Sequence, residues 1–267
     1  MEQLGKLVMA AVLAVLAPFS QVAPDRPGPW QARGFVAHAL GSPPGGQRYT
    51  NSLEAFQESY RKGFRTFEVD LVRLHDGHVL AAHDRFEQHY GLPPGTRFGD
   101  VSVDQIRGRK YDGRLTTLVD GELIELLQRY PDATLILDTK GALRHQIAIA
   151  RRLAQLAPPS VRARMVPHVH SQRQLDALRR LHAFPDYVLA LYLWEPDELE
   201  DVPAFIERNG LRTVMIGYGY YTEELRLAFV KAGAHWVFVH SLTHADEVLR
   251  WRIRGVGVYS DRWIMIV

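Results

Sequence analysis

The sequence predicts a (β/α)8 TIM barrel with a small insertion after the second strand, on three observations. Eight short β-branched or apolar runs alternate with longer segments of helical period, the pattern of repeated βα units on a parallel sheet. The 267-residue length suits a barrel folded as one unit. The composition, 46% hydrophobic and 23% charged, is that of an ordinary globular chain. A doubly wound open sheet is the alternative arrangement of the same units.

The amino end comes first. "MEQLGKLVMAAVLAVLAPFS" carries Lys6 and then an unbroken apolar run from Leu7 to Ala17, too short to cross a hydrocarbon layer of ~30 Å as a helix. Residues 1–23 read as a secretory signal peptide, which implies a secreted or periplasmic protein, with an N-terminal membrane-surface anchor as the alternative. Residues 24–33, "PDRPGPWQAR", are rich in proline and glycine and read as a linker into a domain spanning 34–267.

The expected strands are 35–39, 66–72, 134–140, 164–170, 187–193, 213–218, 236–241 and 255–260, and the expected helices lie near 51–62, 120–130, 143–156, 172–182, 197–209, 222–232 and 244–254. In the first helix Leu53, Phe56 and Tyr60 share a face, Asn51 with Glu54 makes a capping pattern, and Gly63 suits the C-terminal turn. The strand-like run 77–84 is joined to the second strand by an Asp76-Gly77 turn, and 85–114 is polar with little period. Both read as an insertion at the mouth of the barrel, where such folds build their sites.

Charge and cysteine content narrow the function. With 32 basic and 30 acidic residues the net charge is +2, so no global excess draws the chain to nucleic acid. The arginine pairs Arg151/Arg152, Arg162/Arg164 and Arg179/Arg180 read as solvated helix faces. The absence of cysteine excludes disulfides, thiolate metal sites and a cysteine nucleophile.

The chemistry gathers on two strands. In "TFEVDLV" alternation puts Phe67, Val69 and Leu71 on one face and Glu68 with Asp70 on the other. Two carboxylates inside a barrel repel each other unless a cation or a basic group sits between them. "LILDTKG" places Asp138 and Lys140 together on one face. Three carboxylates with no nitrogen or sulfur ligand suit a hard divalent cation, Mg²⁺ or Ca²⁺; a buried ion-pair cluster neutralised by Lys140 stands as the other reading. His38 and His83 each end an apolar run where a strand opens into a loop, a setting for acid–base work near neutral pH. His168 and His170, on the fourth barrel strand, are weaker pocket candidates, and the other histidines read as surface or loop residues.

In order, His38, "NSLEAF" (51–56), "FEVDL" (67–71), Asp76-Gly77, "HD" (83–84), an acidic-x-Lys strand (138–140) and "YSDRW" (259–263) resemble the glycerophosphodiester phosphodiesterases. The resemblance covers residues 35–263 and implies a barrel of the phosphatidylinositol-phospholipase-C-like type that hydrolyses phosphodiesters with a divalent cation. Its substrate would be a small-molecule or lipid-headgroup phosphodiester, with no protein partner. It implies Glu68, Asp70 and Asp138 as metal ligands, His38 and His83 as the acid–base pair, and Lys140, Asn51 and Trp263 as substrate contacts. The chain departs from the family pattern at Ala39, where an arginine is usual, at Thr50-Asn51-Ser52 in place of Glu-Asn-Thr, and at Asp138 in place of glutamate. Its Asp-x-Lys strand and Trp263 are similar to sphingomyelinase-D-like phospholipases of the same superfamily, so a lysophospholipase-D-like activity is an alternative, as is a non-catalytic barrel that binds phospholipid headgroups.

Overall fold

The computed structural model describes residues 29–84 and 86–262. The signal-peptide or anchor segment 1–23, the first part of the linker and Trp263 lie outside the described residues. In chain order the strands are β1 (Phe35–Ala37), β2 (Thr66–Arg73), β3 (Val79–Ala81), β4 (Lys110–Tyr111), β5 (Leu115–Thr116), β6 (Thr134–Thr139), β7 (Met165–Val169), β8 (Val188–Ala190), β9 (Thr213–Gly217), β10 (Trp236–Leu242) and β11 (Gly257–Ser260). Every run expected as a barrel strand contains one. The eight parallel strands β1, β2 and β6–β11 pair in sequence, and β1 bonds both β11 and β2, which closes the barrel and excludes the open sheet.

The helices follow their strands as expected: α1 (Leu53–Arg61), a one-turn α2 (Val103–Ile106) in the insertion, α3 (Asp120–Arg129), α4 (Leu143–Leu156), a short α5 (Pro159–Arg162), α6 (Gln172–Arg179), α7 (Val202–Asn209), α8 (Glu223–Lys231) and α9 (Ala245–Ile253). Strand alternation then makes two cores. Outward residues such as Phe67, Val69 and Leu71 pack under the helices; Phe56 of α1 lies with its ring centroid 4.3 Å from that of Phe67. Such strands, covered on both faces, need apolar residues on both.

Inside the barrel, Val36, Ile136, Val166, Val188, Ala190, Met215, Phe238 and Tyr259 form one buried cluster drawn from seven strands, two of them from β8. The eighth strand, β2, contributes no apolar side chain to it; Glu68 lies beside Ile136 in register. Gly257 is required here, because a Cβ at that position would come within 2.3 Å of the Phe238 ring. Below this layer Trp30 stacks on Phe238 at 5.7 Å, and Gln31 donates to Asp186 at 2.6 Å. The last residues of the expected linker, Trp30–Arg33, thus form a 3-10 turn packed beneath the barrel.

The insertion begins with β3, which turns back at Asp76-Gly77 and pairs antiparallel with the end of β2, Leu71 opposite Ala81. The stretch that shows little period in sequence is held by a small core of its own, including Tyr90, Phe98, Ile106 and Tyr111. Its 3-10 turns and the β4–β5 hairpin are too short to leave a periodic signal.

Candidate active site

Register decides where the acids go. Glu68 and Asp70 are two residues apart on β2, and Asp70 sits beside Asp138 of β6. All three are buried, and one carboxylate oxygen from each lies within 4.8 Å of the others. Lys140 reaches back between two of them, its Nζ 2.7 Å from Asp70 Oδ1 and 2.6 Å from Asp138 Oδ2. Lys140 thus pairs with two of the three carboxyl groups and leaves Glu68 without an ammonium partner. The neutralised ion-pair cluster is therefore only half of the arrangement.

The electrostatics follow from that crowding. Burial, then the charges of Asp70 and Asp138, push the Glu68 carboxyl up to about 8. Asp138 is also opposed by burial, but Lys140 and the nearby rings of His168 and His170 hold it well below the usual carboxylate range. Lys140 is raised: burial disfavours its charge, and Asp138 and Asp70 outweigh burial. Glu68 Oε2 accepts the Ala39 N–H at 2.7 Å, while its buried Oε1 has no hydrogen-bond partner. A buried carboxylate oxygen without a donor is costly. An all-oxygen donor set, an unpartnered buried oxygen and three crowded acids sharing one lysine together fit a hard divalent cation.

Asn51 is fully buried and braces Asp70 twice. Its Nδ2 donates to Asp70 Oδ2 at 2.9 Å, and its Oδ1 accepts the Asp70 backbone N–H at 3.0 Å. To do so it adopts a left-handed backbone, φ 47°, which asparagine tolerates better than most residues. The expected cap is displaced by one: Ser52 caps α1, its Oγ accepting the Ala55 N–H at 3.2 Å, and Glu54 instead accepts from Thr116. Asn51 is free for the acid cluster because Ser52 takes the helix end.

His38 and His83 flank the cluster, each anchored through Nδ1. His38 directly follows β1, buried, with Nδ1 2.6 Å from Asp261 Oδ1 and Nε2 3.9 Å from Glu68 Oε2. Burial opposes its protonation, but the Asp261 hydrogen bond and the charges of Glu68, Asp261 and Asp70 outweigh burial and push it up to about 9. His83 is carried in by the β2–β3 hairpin, and its Nδ1 donates to the Asp84 carbonyl at 2.7 Å. Tyr49 stands between them, with ring centroids 5.0 Å from His38 and 5.6 Å from His83.

Beside the cluster a cavity of about 340 Å³ opens between His83, Lys140, His170 and Tyr192, with Leu193 at its rim. Tyr192 donates to Asp138 at 2.9 Å. His170 reaches the cavity wall, whereas His168 lies fully buried beneath, its Nε2 3.1 Å from the Tyr259 hydroxyl. His240, T-shaped to His38 at 5.2 Å, is pushed down to about 3 by burial and by His38 and His168.

Asp261, Tyr49, Tyr192 and His240 are absent from the residues picked out by sequence. Tyr192 and His240 were legible by alternation, two residues beyond Ala190 and Phe238 on inward faces. Asp261 lies within "YSDRW" yet pairs with a residue 223 positions away, which no local pattern shows. Arg48 at the mouth, 3.5 Å from Asp261 Oδ2, also has no sequence signal.

The sequence matches no protein-family model, and no curated protein matches it. Solved structures do match. The glycerophosphodiester phosphodiesterase of Thermotoga maritima superposes with a TM-score of 0.64 at 19% identity, over 85% of this chain and 93% of that one. The chain shares their fold. An Oleispira antarctica phosphodiesterase, solved with its product sn-glycerol-3-phosphate, gives 0.66 at 16% identity, over 85% and 92% of the two chains. A glycerophosphoryl diester phosphodiesterase of Parabacteroides distasonis gives 0.61 at 19%, over 92% and 87%.

Proposed function

We propose that this barrel hydrolyses phosphodiesters of the glycerophosphodiester class with Mg²⁺ or Ca²⁺ held by Glu68, Asp70 and Asp138. The observation that carries the reading is the buried Glu68 Oε1 without a donor, in a three-carboxyl cluster whose lysine pairs with only two of the acids, flanked by two imidazoles. The product bound in the Oleispira antarctica enzyme supports a small glycerol phosphodiester as substrate. The apolar run Leu7–Ala17 supports an extracytoplasmic location.

The cation, when bound, offsets the negative charge of a phosphoryl oxygen as it grows in the transition state. Lys140 adds a second positive contact at the cavity wall. Asn51 holds Asp70, so its role is to fix a ligand rather than to touch substrate.

His38 and Asp261 form the base. With Nδ1–H held by Asp261, Nε2 takes a proton from the attacking water, and the carboxylate stabilises the imidazolium. The charges that raise His38 include Glu68 and Asp70, which a divalent cation compensates. His83 lines the cavity and gives its Nε2 proton to the leaving oxygen. One P–O bond forms to water and one breaks to the alcohol, yielding a phosphomonoester and an alcohol.

The test is product analysis on glycerophosphodiesters with and without EDTA. Turnover should vanish on chelation and return with Mg²⁺ or Ca²⁺. Activity indifferent to chelation would overturn the cation's role, and binding without turnover would make the chain a headgroup-binding barrel.

A further inference from the structure

We propose that the groove between the insertion and the barrel mouth is a subsite for a second anionic group, carried on the leaving alcohol of the substrate. The inference rests on the hydrolase reading above and adds a substrate class to it: phosphodiesters whose leaving arm bears a further phosphate.

The groove encloses about 810 Å³ and runs directly into the cavity beside His83, sharing Asp84, Lys140 and Gly141 with it. A molecule with its phosphorus at the acid cluster and its leaving oxygen at His83 therefore extends along this groove. The groove wall carries Arg73 from the end of β2, Arg97 from the insertion and His145 from α4, against Asp84 and Glu87.

Two of the charged groups at the junction are already occupied. The Asp84 carboxylate lies 3.1 Å from His83 Nδ1, and Lys140 is held by Asp70 and Asp138. Among the described residues neither the Arg73 nor the Arg97 guanidinium is held by a carboxylate. Arg144, at the start of α4 and outside the groove lining, lies beside His145, its Nε 3.2 Å from the ring Nε2. The convergence registers on His145 itself: burial, then Arg144 and Arg73, lower its proton affinity.

Positive groups on low-dielectric walls focus potential into a cleft, and Val72 and Phe98 supply such walls. Guanidinium groups match phosphate oxygens through paired N–H donors. Against the one remaining carboxylate, Glu87, the guanidinium groups of Arg73 and Arg97 leave a net positive charge facing a neutral or cationic arm, so the groove selects for an anion.

The experiment compares bis(glycerophospho)glycerol, whose leaving arm carries a second phosphate, with glycerophosphoglycerol, whose arm is neutral. The expected kcat/KM ratio is about 10 or more in favour of the first, beyond the factor of two from its second scissile bond. The preference should shrink as salt rises. In the double variant Arg73→Ala/Arg97→Ala the ratio should fall close to that factor of two. A ratio measured on one preparation cancels any loss of folded protein. Turnover of both substrates without preference, or a ratio unchanged in the double variant, overturns the subsite while the hydrolase reading stands. No turnover of either overturns both.

Discussion

His38 and His83 differ in what holds them, and the difference sets what each residue should do when changed. Both rings are pinned through Nδ1, one by a carboxylate and the other by a backbone carbonyl, so each leaves Nε2 for chemistry. Replacing either with alanine should lower kcat by roughly 10²-fold or more, the usual size of an acid–base contribution. Asp261→Asn keeps the ring in place but removes the charge that stabilises imidazolium. It should cost on the order of 10- to 100-fold in kcat with little change in KM, and move the acidic limb of the rate profile, set by deprotonation of the base, to lower pH. A pH profile of kcat identical to the parent's would show that Asp261 does not act on His38. At this scale the sequence showed the residues that follow a local rule: Glu68, Asp70 and Asp138 by alternation, His83 by its hairpin. It hid Asp261, whose partner depends on closure of the barrel between β1 and β11.

At the scale of elements, the join between the insertion and the barrel depends on one buried acid. Asp120, in the first turn of α3, accepts from Arg152 of α4 at 2.9 Å and lies 3.1 Å from His78 of the hairpin loop. It thus splits an arginine pair that sequence assigned to solvated helix faces: Arg152 turns inward while Arg151 stays exposed. Burial opposes the Asp120 charge, but Arg152 and His78 outweigh it and lower the pKa. A carboxyl depressed in the folded state stabilises above its ordinary value of 3.8 and loses that contribution as pH falls through the folded value. Asp120→Asn should therefore cost about 1–3 kcal/mol at pH 7, the range for a lost buried charge-assisted partner. The gap between parent and variant in urea unfolding should close below about pH 4. A gap of constant size across that range would mean the charge of Asp120 is not what stabilises the join. Strand and helix positions were legible because 2- and 3.6-residue periods are local; the insertion was not, because its core is assembled from one-turn pieces whose packing supplies the order.

For the whole molecule, the closed barrel was legible because its eight strands are buried on both faces and read as apolar runs. The count and order of those runs survive in the sequence even where strand ends shift by two or three residues, as at β8. What the runs could not convey is that the polar groups collect at one end of the interior, above the layer from Val36 to Tyr259, where the strand ends open into loops. The Lys140 placement also needed the structure, since spacing alone fits either a neutralised ion pair or a cation site.

The gap that Glu68 leaves in the inner apolar layer has a further consequence. Seven strands fill that layer with side chains that prefer to be there, and the eighth fills it with a carboxyl group. On the proposed hydrolase reading, folding and catalysis therefore compete for one position, and the barrel gives up cohesion to keep its acid. Glu68→Met should complete the layer: replacing buried charged groups with apolar ones of similar volume is often neutral or stabilising by about 1–4 kcal/mol. The same variant should lose turnover entirely. A higher Tm with no activity would mark Glu68 as a position held against the interest of stability; a lower Tm would mean that its bond to the Ala39 N–H contributes more to the fold than its buried charge costs.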